Sequence, residues 1–118
     1  MNKKDLGKKG EELAKNYLIK SGYKIIEKNF RSKYGEIDLI CEKDNSIIFI
    51  EVRTKSNLEF SLPEETITSK KIEHLKKTSL DYLSKSNKKF KDIKFEFIGI
   101  VFLSNNDYKI NHIKDIIF

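Results

Sequence analysis

The stretch GEIDLICEKDNSIIFIEVRTK, residues 35–55, constrains what this chain can fold into more than any other. Apolar and polar residues alternate on both sides of a polar segment at 43–46, the pattern of two pleated strands joined by a short turn. On the first strand the period of two sets Glu36 and Asp38 on one face, with Ile37 and Leu39 on the other. On the second, Glu51, Arg53 and Lys55 share a face opposite Ile48, Ile50 and Val52. Folded as a hairpin, the strands bring Asp38 and Glu51 toward one point, with a cation two residues beyond Glu51. Two carboxylates and a cation make a donor set for a hard metal ion and a phosphate.

The flanking sequence predicts the rest of an α/β fold. Residues 4–21 carry Leu6, Gly10, Leu13, Ala14, Tyr17 and Leu18 on one side of a helical wheel, and Ser21-Gly22 ends the helix. Glu11 lies at the border of that apolar stripe, whereas Glu12 points into solvent. A first strand is predicted at 23–29 and a basic turn at 30–35. Residues 56–68 contain the single proline, Pro63, and no regular period; so long a connection is expected to flank the site. A second helix at 69–86 has Ile72, Leu75, Ser79 and Leu83 as its inner stripe. An apolar strand at 93–103 follows a lysine-rich loop, and a turn at 105–107 leads to a last strand at 108–113, after which the apolar terminus docks on the core. Helix, three strands, helix, two strands is the order, and the crossing through the second helix calls for a parallel pair.

A chain of 118 residues, 38% of them hydrophobic, is expected to form one domain around one core. Its single cysteine, Cys41, lies in an apolar strand and has no partner for an intrachain disulfide, which suits a reducing compartment. No run approaches the length of a membrane span, and MNKKDLGKKGEE lacks the apolar segment of a secretion signal, so a cytoplasmic protein without membrane attachment is the expectation. The net charge of +6 favours polyanionic partners. Lysine as filler on solvated faces accounts for it equally well, since only Arg31 and Arg53 of the 24 basic residues are arginine.

Hydrolysis of a phosphodiester needs an activated water and neutralisation of the charge that builds on phosphorus. Mg²⁺ held by one or two carboxylates serves both needs. Asp38 and Glu51 are the candidate ligands, the carbonyl of Val52 a third, and Glu11 a fourth acting directly or through water, while Arg53 faces the phosphate. The alternatives for the same residues are a solvated Asp38 on a strand face and an ordinary same-face or cross-strand pair of Glu51 with Arg53. Against it stands the apolar run IIFI before Glu51, where burial makes an unpaired carboxylate expensive. His74 and His112 lack zinc-type spacing and read as surface or strand-end residues, and Cys41 as a small core residue. Lys70 and Lys71 read as a solvated helix start or as contacts to a nucleic-acid backbone; Arg31, Arg53 and Lys55 are the other cationic candidates for nucleic acid.

Five strings, GKKGEELAKNYLIKSGYKIIEKNFR, GEIDLI, FIEVRTK, PEETITSKK and HIKDIIF, occur in this order. Together they resemble the YraN family of bacterial endonuclease-like proteins over nearly the whole chain. That family is similar to the PD-(D/E)XK nuclease superfamily and related in fold to archaeal Holliday-junction resolvases. The resemblance implies a restriction-endonuclease-like αβββαβ core, a central mixed sheet flanked by helices. It further implies a Mg²⁺- or Mn²⁺-dependent DNA endonuclease with branched or junction DNA as a candidate substrate, for which a homodimer would suit two equivalent strands. Asp38 matches the motif's Asp, Glu51 its second acid, and Glu11 the acid on the first helix of resolvase-like members. Glu36 belongs to the GEIDL string, and Lys71 falls where the family has a lysine at the start of the second helix.

Arg53 stands where the motif has lysine. A guanidinium stays charged and cannot act as a general base, although it can clamp a phosphate. Lys55, on the same face, would have to reach back about 6–7 Å along the strand to substitute. Two rival readings therefore stand beside the nuclease: a nucleic-acid-binding module of the same fold without cleavage, and an interaction protein with a vestigial acidic pocket.

Overall fold

A computed structural model of the chain describes residues 2–56, 62–104 and 106–116. Helix α1 (Lys3–Lys20) starts at Asn2, whose side chain accepts the Asp5 amide at 2.9 Å. Capping of this kind satisfies one of the amides that a helix start leaves unpaired. Strands β1 (Lys24–Ser32), β2 (Gly35–Lys43) and β3 (Ser46–Ser56) follow, then a 3₁₀ turn (Pro63–Thr66) and helix α2 (Ser69–Lys85). Strands β4 (Asp92–Ser104) and β5 (Asp107–Ile113) complete one sheet in which spatial order equals sequence order. Among the described residues only the β3/β4 pair is parallel, and α2 makes that crossing. This is the expected αβββαβ order of a mixed, helix-flanked sheet, with β5 added at the edge.

The β2–β3 hairpin closes through Asp44 and Asn45, at φ 51° and 62°. Two consecutive left-handed residues form the turn whose twist matches that of the strands, and Asp and Asn tolerate it. The expected basic turn at 30–35 is shorter than the sequence suggested. Phe30, Arg31 and Ser32 pair with Ile37, Glu36 and Gly35, so only Lys33 and Tyr34 remain as turn. Phe30 packs edge-on against Tyr82 of α2, a tertiary contact that draws the segment into the ladder. Of the irregular connection, residues 57–61 lie outside the described residues, and Pro63–Thr66 form one helical turn.

Each face of the sheet carries its own core. Ala14 and Leu18 of α1 cover Leu39, Cys41, Ile48, Ile50, Val52, Ile98 and Ile100. Leu75 of α2 covers Ile37, Ile40, Ile47, Phe49 and Phe97. Ile116, the first residue of the apolar terminus expected to dock, joins this second core with its amide bonded to the Phe95 carbonyl at 3.1 Å; Ile117 and Phe118 lie outside the described residues. Among the described residues no helix is long and apolar enough to cross a membrane.

Gly10 sets how closely α1 approaches the sheet. A Cβ at this position would collide with Oγ1 of Thr54 on β3 and sit 3.1 Å from its Cβ and Cγ2. Gly10→Ala is expected to destabilise the protein by about 1–3 kcal/mol from overpacking, outweighing the roughly 1 kcal/mol that alanine gains over glycine within a helix. Urea denaturation measures this; an unchanged or raised midpoint would show that α1 does not need this close approach.

A candidate active site where two strands part

The alternation of β2 breaks at Asp38. Ile37 faces α2 and Leu39 faces α1, so these two residues do not share a face as a regular period would require. The cause lies in the neighbouring strands. Asn29 of β1, flanked by the pairs Lys28↔Leu39 and Phe30↔Ile37, adopts φ 53°. On the other side, β2 pairs with β3 only from Lys43↔Ser46 to Leu39↔Ile50. Continuing that register, the next opposed pair would be Asp38 and Glu51, and there the strands part. The Val52 amide, deprived of a strand partner on β2, donates instead to Oδ2 of Asp38 at 2.8 Å. An interior amide left unpaired would cost about 1–3 kcal/mol, so this bond holds the opening together.

Asp38 and Glu51 both line this opening. Burial first, then the bond to Glu51 and its charge, push the Asp38 carboxyl up to about 8, against the opposing pull of the Val52 amide and Arg53. Two carboxylates so close resist being charged together without compensation. Arg53 supplies part of that compensation, its Nη2 lying 3.1 Å from Oε2 of Glu51. Its Nε is buried with no hydrogen-bond partner among the described residues. A raised native pKa means that the stability contributed by protonated Asp38 is complete below the unfolded value near 3.8 and is lost as pH climbs through the folded value. In metal-free protein, the melting temperature of Asp38→Asn, which mimics the protonated acid, should therefore exceed that of wild type by a margin that grows from pH 5 to pH 9. A constant margin would show that the Asp38 carboxyl is not raised.

Glu11 is half-buried on α1, and its carboxyl is also raised, by burial and then by the charges of Asp38 and Glu36, with Lys28 opposing. The Asn29 amide satisfies its neighbours only with nitrogen toward the acids, donating to Glu36 at 3.2 Å and to Glu11 at 3.3 Å. Among the described residues no three His, Cys, Asp or Glu side chains gather as a ready metal cluster. Asp38 and Glu51 thus form the inner pair, and Glu11 and Glu36 stand around it.

Asp38 opens onto both faces of the sheet. Toward α1 lies a concavity of about 440 Å³ lined by Glu11, Asp38, Val52, Arg53, Lys55 and Lys71, among others. Toward α2 lies one of about 180 Å³ lined by Glu36, Asp38, Glu51, Arg53, Lys71 and His74, among others. Thr66, in the connection expected to flank the site, lines the first. Burial and then the charge of Arg53 lower the Lys71 ammonium, Glu51 opposing. Lys70 is exposed and lines neither concavity, and Arg31 pairs with Glu36 at 3.6 Å.

Sequence reasoning missed His74, on the wall that Lys71 begins; once Lys71 is placed there, a residue three positions on lies on the same helix face. It also missed Asn29, whose left-handed backbone has no local signal beyond its being asparagine. Of the reading of His112 as a surface or strand-end residue, the second part holds, since it lies at the end of β5, and the first is corrected: its side chain is buried, with Nε2 2.7 Å from Oε1 of Glu96 and Nδ1 3.1 Å from the Tyr17 hydroxyl. Tyr23 donates to the same Glu96 oxygen at 2.8 Å. Burial pushes the Glu96 carboxyl up, but the bonds from His112 and Tyr23 and the His112 charge outweigh it and leave it below the ordinary range. Cys41 is buried and burial raises its thiol, as befits an inert core residue.

The profile of the uncharacterised protein family UPF0102 matches residues 10–100. Among similar proteins are a UPF0102 protein of Syntrophomonas wolfei, 47% identical over 93% of this chain and 95% of its own length, and one of Persephonella marina, 44% identical over 93% of each. Another, of Clostridioides difficile, is 41% identical over 96% of each.

Proposed function

The chain belongs to the uncharacterised protein family UPF0102, the YraN family of its sequence resemblance, and we propose that it is a metal-dependent nuclease hydrolysing phosphodiester bonds in DNA, branched DNA foremost. The observation that carries this reading is the Asp38–Glu51 pair at the parting of β2 and β3, with the Arg53 guanidinium beside it. Two hard oxygen donors lining one opening suit a divalent cation, and the Arg53 Nε without a hydrogen-bond partner among the described residues suits an anionic acceptor. The residues therefore fit the group. Asp38 and Glu51 would hold Mg²⁺ or Mn²⁺, with the Val52 carbonyl and, through water, Glu11 as further donors. When bound, such an ion neutralises phosphate charge and acidifies water.

The chain's own residues would do the rest. Arg53 holds the phosphate through donors that never lose their protons, so it positions and stabilises but does not take a proton. The Val52 amide fixes Asp38, and Asn29 keeps Glu11 and Glu36 facing the pair. One observation favours the rival binding module: Glu51 already has a counter-ion in Arg53, 3.1 Å away. Incubating labelled four-way junction, flap, single-stranded and duplex DNA with Mg²⁺, Mn²⁺ or EDTA separates the two. Metal-dependent products are expected, whereas salt-sensitive binding without products would establish the binding module.

A further inference from the structure

We propose that His74 is a substrate-contacting residue that, with Arg53 and Lys71, holds the phosphodiester against the Asp38–Glu51 pair. The inference rests on reading the site as one that takes a phosphodiester, and extends it to a residue on the second helix. Three observations support it. His74 is exposed yet lines the α2-side concavity together with both acids, Arg53 and Lys71. It lies one helical turn beyond Lys71, so the two side chains stand on the same wall of α2. Gly35 brings that wall close: a Cβ there would lie 3.7 Å from Cβ of His74 and 3.4 Å from Oγ1 of Thr78, and its φ of +148° disfavours any larger residue.

The chemistry fits the place. Three acids, Glu36, Asp38 and Glu51, line this concavity, so a phosphate entering it meets strong repulsion unless donors face it from the opposite wall. Arg53 is partly spent on Glu51, which leaves Lys71 and His74 as donors on the helix side. An imidazole N–H gives a directional hydrogen bond to a phosphate oxygen at neutral pH, and a second charge when protonated.

The two histidines make the test direct, because buried His112 is an internal control. The full chain, labelled with ¹³C and ¹⁵N in histidine, is titrated in EDTA with a four-way junction and with duplex DNA while ring resonances are followed. The His74 signals should shift as DNA saturates the protein and those of His112 should stay; His74→Ala should bind DNA about tenfold more weakly, and His74→Arg should restore affinity. Saturating DNA that leaves His74 unmoved, or His74→Ala binding as tightly as wild type, overturns the proposal. Cleavage by the same samples with Mg²⁺ or Mn²⁺ tells the two readings apart. A shifted His74 without cleavage upholds the contact and sinks the nuclease; cleavage with an unmoved His74 does the reverse. Absence of DNA binding at any salt overturns the contact.

Discussion

Asp38→Asn is expected to lower metal-dependent DNA cleavage by at least about a thousandfold while leaving the protein folded. The isostere keeps an oxygen to accept the Val52 amide and gains a donor for Glu51, so the parting of β2 and β3 survives. What it loses is a carboxylate that can exchange its proton for a cation. Asp38→Ala should be equally inactive but less stable, because the Val52 amide then has no acceptor, at a cost of about 1–3 kcal/mol. Part of that cost is returned by removing the repulsion between two acids. Initial rates on labelled junction DNA, beside urea denaturation of the same samples, separate the two effects. Wild-type rates in Asp38→Asn would remove this residue from the chemistry and with it the proposed function. Glu51→Gln should behave like Asp38→Asn, with one difference: Arg53 is released from its 3.1 Å ion pair, so DNA binding should tighten even as cleavage disappears.

Glu96→Ala is expected to destabilise the protein by about 3–5 kcal/mol, enough to unfold a domain of ordinary stability near physiological temperature. Glu96 is 3% exposed and accepts from both Tyr23 and His112, and a carboxylate can only accept. The His112 Nε2 must therefore donate to it, while Nδ1 lies 3.1 Å from the Tyr17 hydroxyl. Removing the carboxylate strands a tyrosine hydroxyl and an imidazole N–H in the interior and unties a chain of bonds linking α1 to β4 and β5. Glu96→Gln, which keeps an acceptor, should cost much less. The linkage has a definite sign: a depressed carboxyl contributes stability that is present above its unfolded pKa and lost as pH falls through the folded one. Wild type should thus lose stability on acidification faster than Glu96→Gln. Urea midpoints between pH 3 and pH 7 measure both claims, and a Glu96→Ala protein within 1 kcal/mol of wild type would show that the network is dispensable.

Glu51 and Glu96 show how far the sequence could be read. Both are glutamates within strongly apolar strands, and the cost of burying an unpaired carboxylate marks both as residues needing a partner. That cost bears on Glu51 after IIFI and equally on Glu96 in KFEFIGI. It requires a partner without specifying which one. Glu51 has its cation two residues away, whereas Glu96 draws on Tyr23, 73 residues earlier, and His112, 16 residues later. One glutamate ends in an open cleft and the other in a closed core, and nothing local distinguishes them.

The chain by itself determined its elements and their order, the Asp-Asn hairpin, the stripe of α1 with Gly10 in it, and the register that opposes Asp38 to Glu51. These follow from periods of two and of about 3.6 residues and from turn preferences, which are properties of neighbours along the chain. Only the tertiary structure decided that the alternation of β2 breaks at Asp38, that Arg31 is drawn to Glu36, that His112 is buried, and that His74 faces the acids across a cleft. Each of these depends on which strand lies beside which and on how closely a helix docks. Contacts between segments tens of residues apart are selected by the summed burial of two cores, a quantity that no single window of sequence contains.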